Sequence, residues 1–395
     1  MTSTTQTLRD LCTIRHGGTP SKANAAFWAG DVPWVSPKDM KSALILDAAD
    51  HISDDAIENS ATHLVPTKSV LVVVRSGILA HTLPVAQAGR ALAFNQDIKA
   101  FTPDTTKVDP DYVYWFLRAR AAYTVLHGVK KGATVHSLQS GFLENLPVPS
   151  RTEEEQRTIV DLLSRAEAIV QLRREAKSKA DELMVAAFFD LFGDPATNEK
   201  AWPMRKVSEF VARFDGGKNL QAGSGLDSPY RILKVSAVTS GQYLEKESKP
   251  IPDGYEAPAA HLVKVGDMLF SRANTEQLVG ATAIVEQTNG TTLLPDKLWR
   301  IVWAEPVDAA YMHALFHTPF VRRELSRISS GTSASMRNIS QGRLFNLTLP
   351  IAPHGQQVAF GERAALIRSV QAQQATALAK ALETFDALMA SLFPF

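Results

Sequence analysis

Cysteine is nearly missing from this sequence. Cys12 is the only one in 395 residues, which excludes an internal disulfide framework and any cysteine-rich metal site and fits a reducing compartment. Long apolar runs are missing too: VLVVV at Val70 to Val74 suffices for one buried strand and falls far short of a membrane span. The opening MTSTTQTLRD has neither the basic nor the apolar region of a signal peptide. A cytoplasmic chain with no membrane partner is therefore expected. No sign of charge dominates either. The net charge of +1, with 21% charged and 45% hydrophobic residues, is that of a globular protein. Residues 151–200 are acidic on balance and residues 201–353 basic, which permits nucleic-acid binding without requiring it.

Catalytic signatures are the next absence. Gly17-Gly18-Thr19-Pro20-Ser21 is neither GxGxxG nor a P-loop and reads as a tight turn. His313 and His317 stand four apart on an expected helix, but no Glu follows His313 and no third ligand is evident. Glu247 and Lys249 with an upstream Asp227 suggest a metal nuclease only faintly. No GxSxG elbow occurs, and no Asn- or Asp-Pro-Pro-aromatic tetrapeptide of the kind used to grip a flipped base. The pattern points to recognition without chemistry: no catalytic residue, no metal and no cofactor in this chain.

What is present is an internal echo. LPVPSRTEEEQ (Leu146 to Gln156) returns as LTLPIAPHGQQ (Leu347 to Gln357), 201 positions on. Extended upstream, the register pairs Gly141 with Gly342, Leu143 with Leu344, Asn145 with Asn346, Pro149 with Pro350 and Gln156 with Gln357. DLCTIRHGG echoes as EFVARFDGG, SVLVVVRSG as DMLFSRAN and DPDYVYWFL as DAAYMHALF, bringing Arg75 opposite Arg272 and Asp109 opposite Asp308.

Each half opens with short strands broken by Gly, Pro and Asp, continues into a short helix near Tyr112 or Tyr311, and ends in a long one. Between Glu153 and Phe192 there is no Gly or Pro, and Ile159, Leu163, Ala166, Ile169, Arg173, Ala176, Ala180 and Leu183 recur at helical spacing. Phe360, Ile367, Val370, Leu378, Leu382, Phe385, Met389 and Leu392 do the same in the tail. A helix of about 60 Å is too long for one small globule, so the two are expected to pair along their seams. The expected fold class is α+β: two similar α/β globules separated by two long helices packed as an antiparallel coiled coil, with a pseudo-two-fold internal repeat. The expected boundaries are globule 1–150, helix 151–193, globule 194–353 and helix 354–395.

Recognition of DNA needs Arg, Lys, Asn and Gln at base edges and hydroxyls at phosphates. Clusters of these types fall in expected loops. The first half offers Thr19, Ser21 and Lys22; Lys38; Arg75 and Ser76; Asn95 and Gln96; Lys130 and Lys131. The second offers Lys218 and Asn219; Lys234; Arg272 and Asn274; and Arg337 and Asn338 after Ser335 and Met336. Asp97 and Asp296 stand where they could instead hold Arg75 and Arg272 inside their own domains.

The pattern LxDLCTIRHGGTPS, the domain end LENLPVPSRTEEEQ and, most specifically, LFGDPATNEKAWPMRKVSEF (Leu191 to Phe210) resemble the DNA-specificity subunit of type I restriction–modification systems. The resemblance runs from about Leu8 to Phe395. It implies two target-recognition domains, each reading half of a split, asymmetric site in double-stranded DNA, and two spacer helices that set the separation and seat two modification (methyltransferase) subunits. S-adenosylmethionine, ATP and Mg are then expected in the modification and restriction subunits. The second half departs in having Lys218-Asn219-Leu220 after its glycine pair and His354-Gly355-Gln356 for the Glu run. Alternatives are a specificity chain of a type II system with a fused methylase–nuclease partner, a coiled-coil scaffold that does not bind DNA, and the nuclease using Glu247 and Lys249.

Overall fold

The structure, a computed structural model, describes residues 6–132, 135–224, 228–333 and 336–394. The chain divides into two compact units: residues 1–174 with 377–395, and residues 175–376. This division cuts each long helix near its middle, because each helix gives one half of its length to each core.

Unit 1 is built on a five-stranded sheet in the order Cys12–His16, Ile98–Pro103, Val70–Val73, Val85–Ala88, Leu44–Ile45. Its pairs are antiparallel except the last. Val70–Val73 is buried at all four positions, as a central strand of branched residues should be. A smaller sheet sets Val32–Val35 between Asp50–Ile52 and Ala93–Phe94. Unit 2 repeats the plan. Val211–Gly216, Leu298–Trp303, Met268–Ser271 and Thr282–Ile284 form an antiparallel sheet, and Arg231–Leu233 lies between Ser248–Pro250 and Thr292–Leu293. The sequence echo is thus an echo of sheet topology, except that the parallel edge strand Leu44–Ile45 of unit 1 has no counterpart in the four-stranded sheet of unit 2.

The short helices Pro110–Ala119 and Ala309–His317 start on matched caps. The Asp109 carboxylate accepts from the N–H groups of Asp111 and Tyr112 at 2.7 and 3.2 Å, and that of Asp308 accepts from Tyr311 at 2.8 Å. The first long helix, Glu153–Phe192, has 40 residues and the second, His354–Leu392, has 39. Thr152 and Glu155 open the first with reciprocal bonds of 2.7 and 3.2 Å, a capping box hidden within the expected acidic start. Gly193, at φ +71°, ends it and bonds back to the Phe189 carbonyl at 2.9 Å.

In unit 1 the start of the first long helix packs against the end of the second: Ile159 and Leu163 share a core with Phe385, Leu388, Met389, Leu392 and Phe393. The Phe393 ring lies 5.3 Å from that of Tyr112, and its carbonyl accepts from Arg120 at 3.1 Å. In unit 2 the end of the first long helix packs against the start of the second. Phe188 and Phe192 meet Phe360 and Tyr311 with ring centres 4.8 to 5.8 Å apart. Within each unit, therefore, the two helices run antiparallel.

The seam differs from expectation in its middle. Ala180 is buried as expected, but Ile169, Leu183 and Val370 are 52, 44 and 39% exposed, Arg173 is exposed, and Val170 is buried in place of Ile169. Gln371 takes the position next to Val370 and donates to the Ala180 carbonyl at 3.1 Å. A helix of 3.6 residues per turn drifts about 20° per heptad against a strict 3.5 repeat, so the buried stripe moves over by one residue. No helix among the described residues is long and apolar enough to cross a membrane.

Candidate nucleic-acid interface

Each unit carries a small third sheet that its sequence does not advertise. In unit 1 the strands Val129–Lys130 and His136–Leu138 form an antiparallel arm, whose second strand pairs with Arg75–Ser76. In unit 2 Ser330–Ser333 and Met336–Asn338 form the arm, paired with Ala273–Asn274. The arms bring together residues far apart in sequence. Arg75 and Ser76 face Ser137 and His136, and Asn274 faces Arg337. Gly132 N–H reaches His136 Nδ1 at 3.1 Å. Lys130 and Lys131 on the first arm are exposed, and neither makes an ion pair with another described residue.

The base of the first arm is a hydrogen-bonded chain. The N–H groups of Val74 and Arg75 donate to the Asp97 carbonyl at 2.8 and 3.2 Å, and Arg75 Nε donates to Asp97 Oδ1 at 2.6 Å. Only Nε is engaged in this way. The side chain is 53% exposed, and its two terminal nitrogens have no hydrogen bond to a described residue. Asp97 is itself held, its N–H donating to Asn95 Oδ1 at 3.0 Å and its carboxylate accepting from Asn95 Nδ2 at 3.1 Å. Beside it Thr19 Oγ1 donates to Gln96 Oε1 at 2.5 Å. Gly17 makes that approach possible, since a Cβ there would lie 2.1 Å from the Asn95 carbonyl oxygen; the glycine pair is a backbone crossing.

Unit 2 has the same frame with other side chains. A Cβ on Gly217 would lie 1.6 Å from the Leu294 carbonyl oxygen, and Lys218 bridges to Pro295. Its ammonium stands 5.9 Å from the centre of the Tyr255 ring. Arg272 is more confined than its counterpart. Nε donates to the Asp296 carbonyl at 2.7 Å, Nη1 donates to Asn338 Oδ1 at 3.0 Å, and the guanidinium carbon is 5.6 Å from the Trp299 ring centre.

Several expected contact residues therefore have internal work. Asn95 is buried and clamps Asp97. Arg272 ties its strand to Asp296 and the second arm. Arg337 binds its own arm through Ser329 Oγ at 2.9 Å and the Ser329 carbonyl at 3.3 Å. Arg75 does pair with Asp97, the alternative considered from sequence, yet keeps its fork exposed. Thr19 bonds Gln96 beside Asp97, Ser76 follows Arg75, and Lys130, with Lys131 next to it, lies across Ser137 from Arg75 in the arm. Asn338 bonds Arg272, Asn274 faces Arg337 in the same arm, Lys218 bridges to Pro295 beside Asp296, and Asn219, beside Lys218, is exposed. Ser21, Lys22, Lys38 and Lys234 lie outside these clusters: the Ser21 carbonyl accepts from Trp28 at 3.2 Å, Lys22 is exposed, Lys38 pairs with Asp50 at 2.7 Å, and Lys234 N–H bonds the Glu247 carbonyl at 2.9 Å. His136 was missed by sequence reasoning. Its signal was VKKG…VHSL, a hairpin alternation too short to stand out.

The other candidates are used inside the fold. Glu247 accepts from Ser236 at 2.8 Å and Lys249 donates to the Leu220 carbonyl at 2.7 Å; Asp227 and Ser335 lie outside the described residues. His313 Nδ1 is 3.0 Å from Thr282 Oγ1 and His317 Nε2 is 3.2 Å from the Thr282 carbonyl. Burial, helped by His317 and Arg368, pushes His313 down to about 3.

Residues 2–181 match the family model of the type I restriction modification DNA specificity domain. The chain is 34% identical over 179 residues to the type I restriction enzyme EcoR124I/EcoR124II specificity subunit of Escherichia coli, covering 45% of this chain and 44% of that one. It is 24% identical over 235 residues to the MjaIX specificity subunit of Methanocaldococcus jannaschii, covering 58% and 51%. The chain spans about half the length of the curated relatives it matches. Over nearly its full length it shares the fold of the S subunit of a type I restriction–modification system from M. genitalium, with TM-score 0.56, 12% identity and coverage of 99 and 96%. A second chain, from a structure on complex assembly and conformational transition of the type I R-M system, gives TM-score 0.62, 14% identity and coverage of 98 and 96%.

Proposed function

We propose that this protein reads a split site in double-stranded DNA on behalf of partner enzymes, because residues 2–181 match the type I restriction modification DNA specificity domain and the chain shares the S-subunit fold. One observation carries the reading: each unit projects a β-arm from the same frame, and the two arms bear different side chains. A two-stranded ribbon fits the major groove. Lys130 and Lys131 would hold phosphates, and the exposed fork of Arg75 would meet a guanine edge or a phosphate. Two dissimilar readers suit an asymmetric site. Modification subunits, two in number, would supply S-adenosylmethionine and methylate adenine, and restriction subunits would supply ATP- and Mg-dependent cleavage. The chain itself would do no chemistry, and it would work in the cytoplasm alongside the DNA.

The test is to map methylated adenines in cells that carry the modification subunits with and without this chain. The expected result is a bipartite motif that disappears with the chain. Methylation unchanged by its loss would overturn the reading.

A further inference from the structure

The repeat preserves one device that neither the arms nor the seam explains. In unit 1 Gln156, 7% exposed, lies in the first turn of the long helix. Its Oε1 accepts from the Asp109 N–H at 2.8 Å, and its Nε2 donates to the Arg151 carbonyl at 3.0 Å. Asp109 is the residue that caps the globule's helix Pro110–Ala119. From that same helix Tyr112 donates its hydroxyl to the Pro149 carbonyl at 3.1 Å. One amide thus fastens three pieces: the globule's helix, the proline hinge and the long helix.

Unit 2 makes the same fastening. Gln357, 2% exposed, accepts from the Asp308 N–H at 3.1 Å and donates to the Ala352 carbonyl at 2.8 Å. Tyr311 accepts from the Ala352 N–H at 2.9 Å and lies 3.5 Å from the Pro350 carbonyl. Here the fit is closer still. A Cβ on Gly361 would lie 2.1 Å from Asp308 Oδ2, so the cap rests directly on the long helix; Val160 occupies that place in the first half.

A buried amide satisfied at both ends holds one geometry, because any other leaves a donor or acceptor unpaired. An apolar side chain of similar size could fill the space but would allow the hinge to slide. The side chains of the latch are the same in both halves while those of the arms differ, so the device serves something the halves share. We propose that Gln156 and Gln357 are positioning residues that fix the angle between each globule and its long helix. Resting on the DNA-reading function proposed above, they thereby set how many unread base pairs separate the two half-sites.

The experiment uses the full chain with its modification subunits in cells, mapping methylated adenines for wild type, Gln156→Met, Gln357→Met and Gly361→Ala. Gly361→Ala drives a Cβ against the Asp308 carboxylate without touching Gln357, and thermal melts of each variant separate a shifted hinge from simple unfolding. The expected result is that both half-site sequences survive while methylation at the original gap falls at least about tenfold, with gaps one base pair longer or shorter appearing. Gln156→Glu keeps the acceptor for Asp109 and should retain more of the original gap than Gln156→Met. Folded variants that methylate the wild-type motif at the wild-type gap overturn the proposal. So does loss of folding in all of them, which would make the latch a stability element only. A wild-type chain that directs no bipartite motif instead removes the DNA-reading function and is recognised before any variant is compared.

Discussion

Arg75 and Arg272 occupy the same place in the repeat and have different freedom. Asp97 takes only Nε of the first, whereas Asp296, Asn338 and Trp299 occupy the second from several sides. Arg75→Ala should therefore cost about 1–3 kcal/mol of binding and relax one position of one half-site if the fork reads guanine. If it holds a phosphate, the variant should weaken all sequences alike and lower the salt slope by about one unit. Arg272→Ala should lower the melting temperature of the chain more than Arg75→Ala does. Binding to the full site and to single-position variants at two salt concentrations, beside thermal melts, checks both. Residue types in these loops were legible from sequence, but their orientation was not. Asn95 and Gln96 are adjacent and chemically alike, yet one is buried and the other exposed, because the close approach of the Gly17 backbone decides which side faces in.

A second residue-scale expectation concerns acid. Burial holds His313 at about 3 against an ordinary 6.5, and His317 is lowered for the same reason. Below 6.5 the unfolded chain binds protons that the folded one refuses. The stability these rings confer is thus full above that value and lost as pH falls toward 3, by up to about 1.4 kcal/mol per pH unit for His313 alone. Denaturant melts between pH 7.5 and 5 should show unit 2 weakening, and His313→Gln should flatten that dependence. An equally steep fall in the variant would remove His313 as its cause.

At the scale of elements, both long helices were legible because a gap-free apolar period is the strongest signal a sequence carries. Their exact seam was not, since a one-residue shift in phase exchanges Ile169 for Val170. A pair of truncations measures that shift. Leu163→Ala, at a fully buried site, should cost about 2–5 kcal/mol, and Ile169→Ala about 0.5 kcal/mol or less. Equal costs in denaturant melts would restore the original seam. The arms were illegible for the opposite reason: strands of two to four residues have too little alternation to register, and their partners lie about 60 positions away in sequence.

At the scale of the molecule, the two halves were legible through their identities at hinges and caps, and less so where loops change length. Both long helices pass from one unit into the other, between Arg174 and Glu175 and between Thr376 and Ala377. Inserting seven residues into each helix at those points preserves the phase of the seam and adds about 10 Å. The methylated motif should keep both half-sites and gain about three unread base pairs, at 3.4 Å each. Altered bases within a half-site at an unchanged gap would deny the helices their measuring role.

Phe393 in the core of unit 1 also fixes an order of events during synthesis. A ribosome completes residues 175–376, all of unit 2, while unit 1 still lacks the strip that carries Phe385, Leu392 and Phe393. The unit begun first is finished last. At about 5–20 residues per second the delay is about one to four seconds, during which the faces of Tyr112 and Phe116 that Phe393 will cover wait for it. A chain stalled within that interval should present a protease with a loosened first unit and a closed second one.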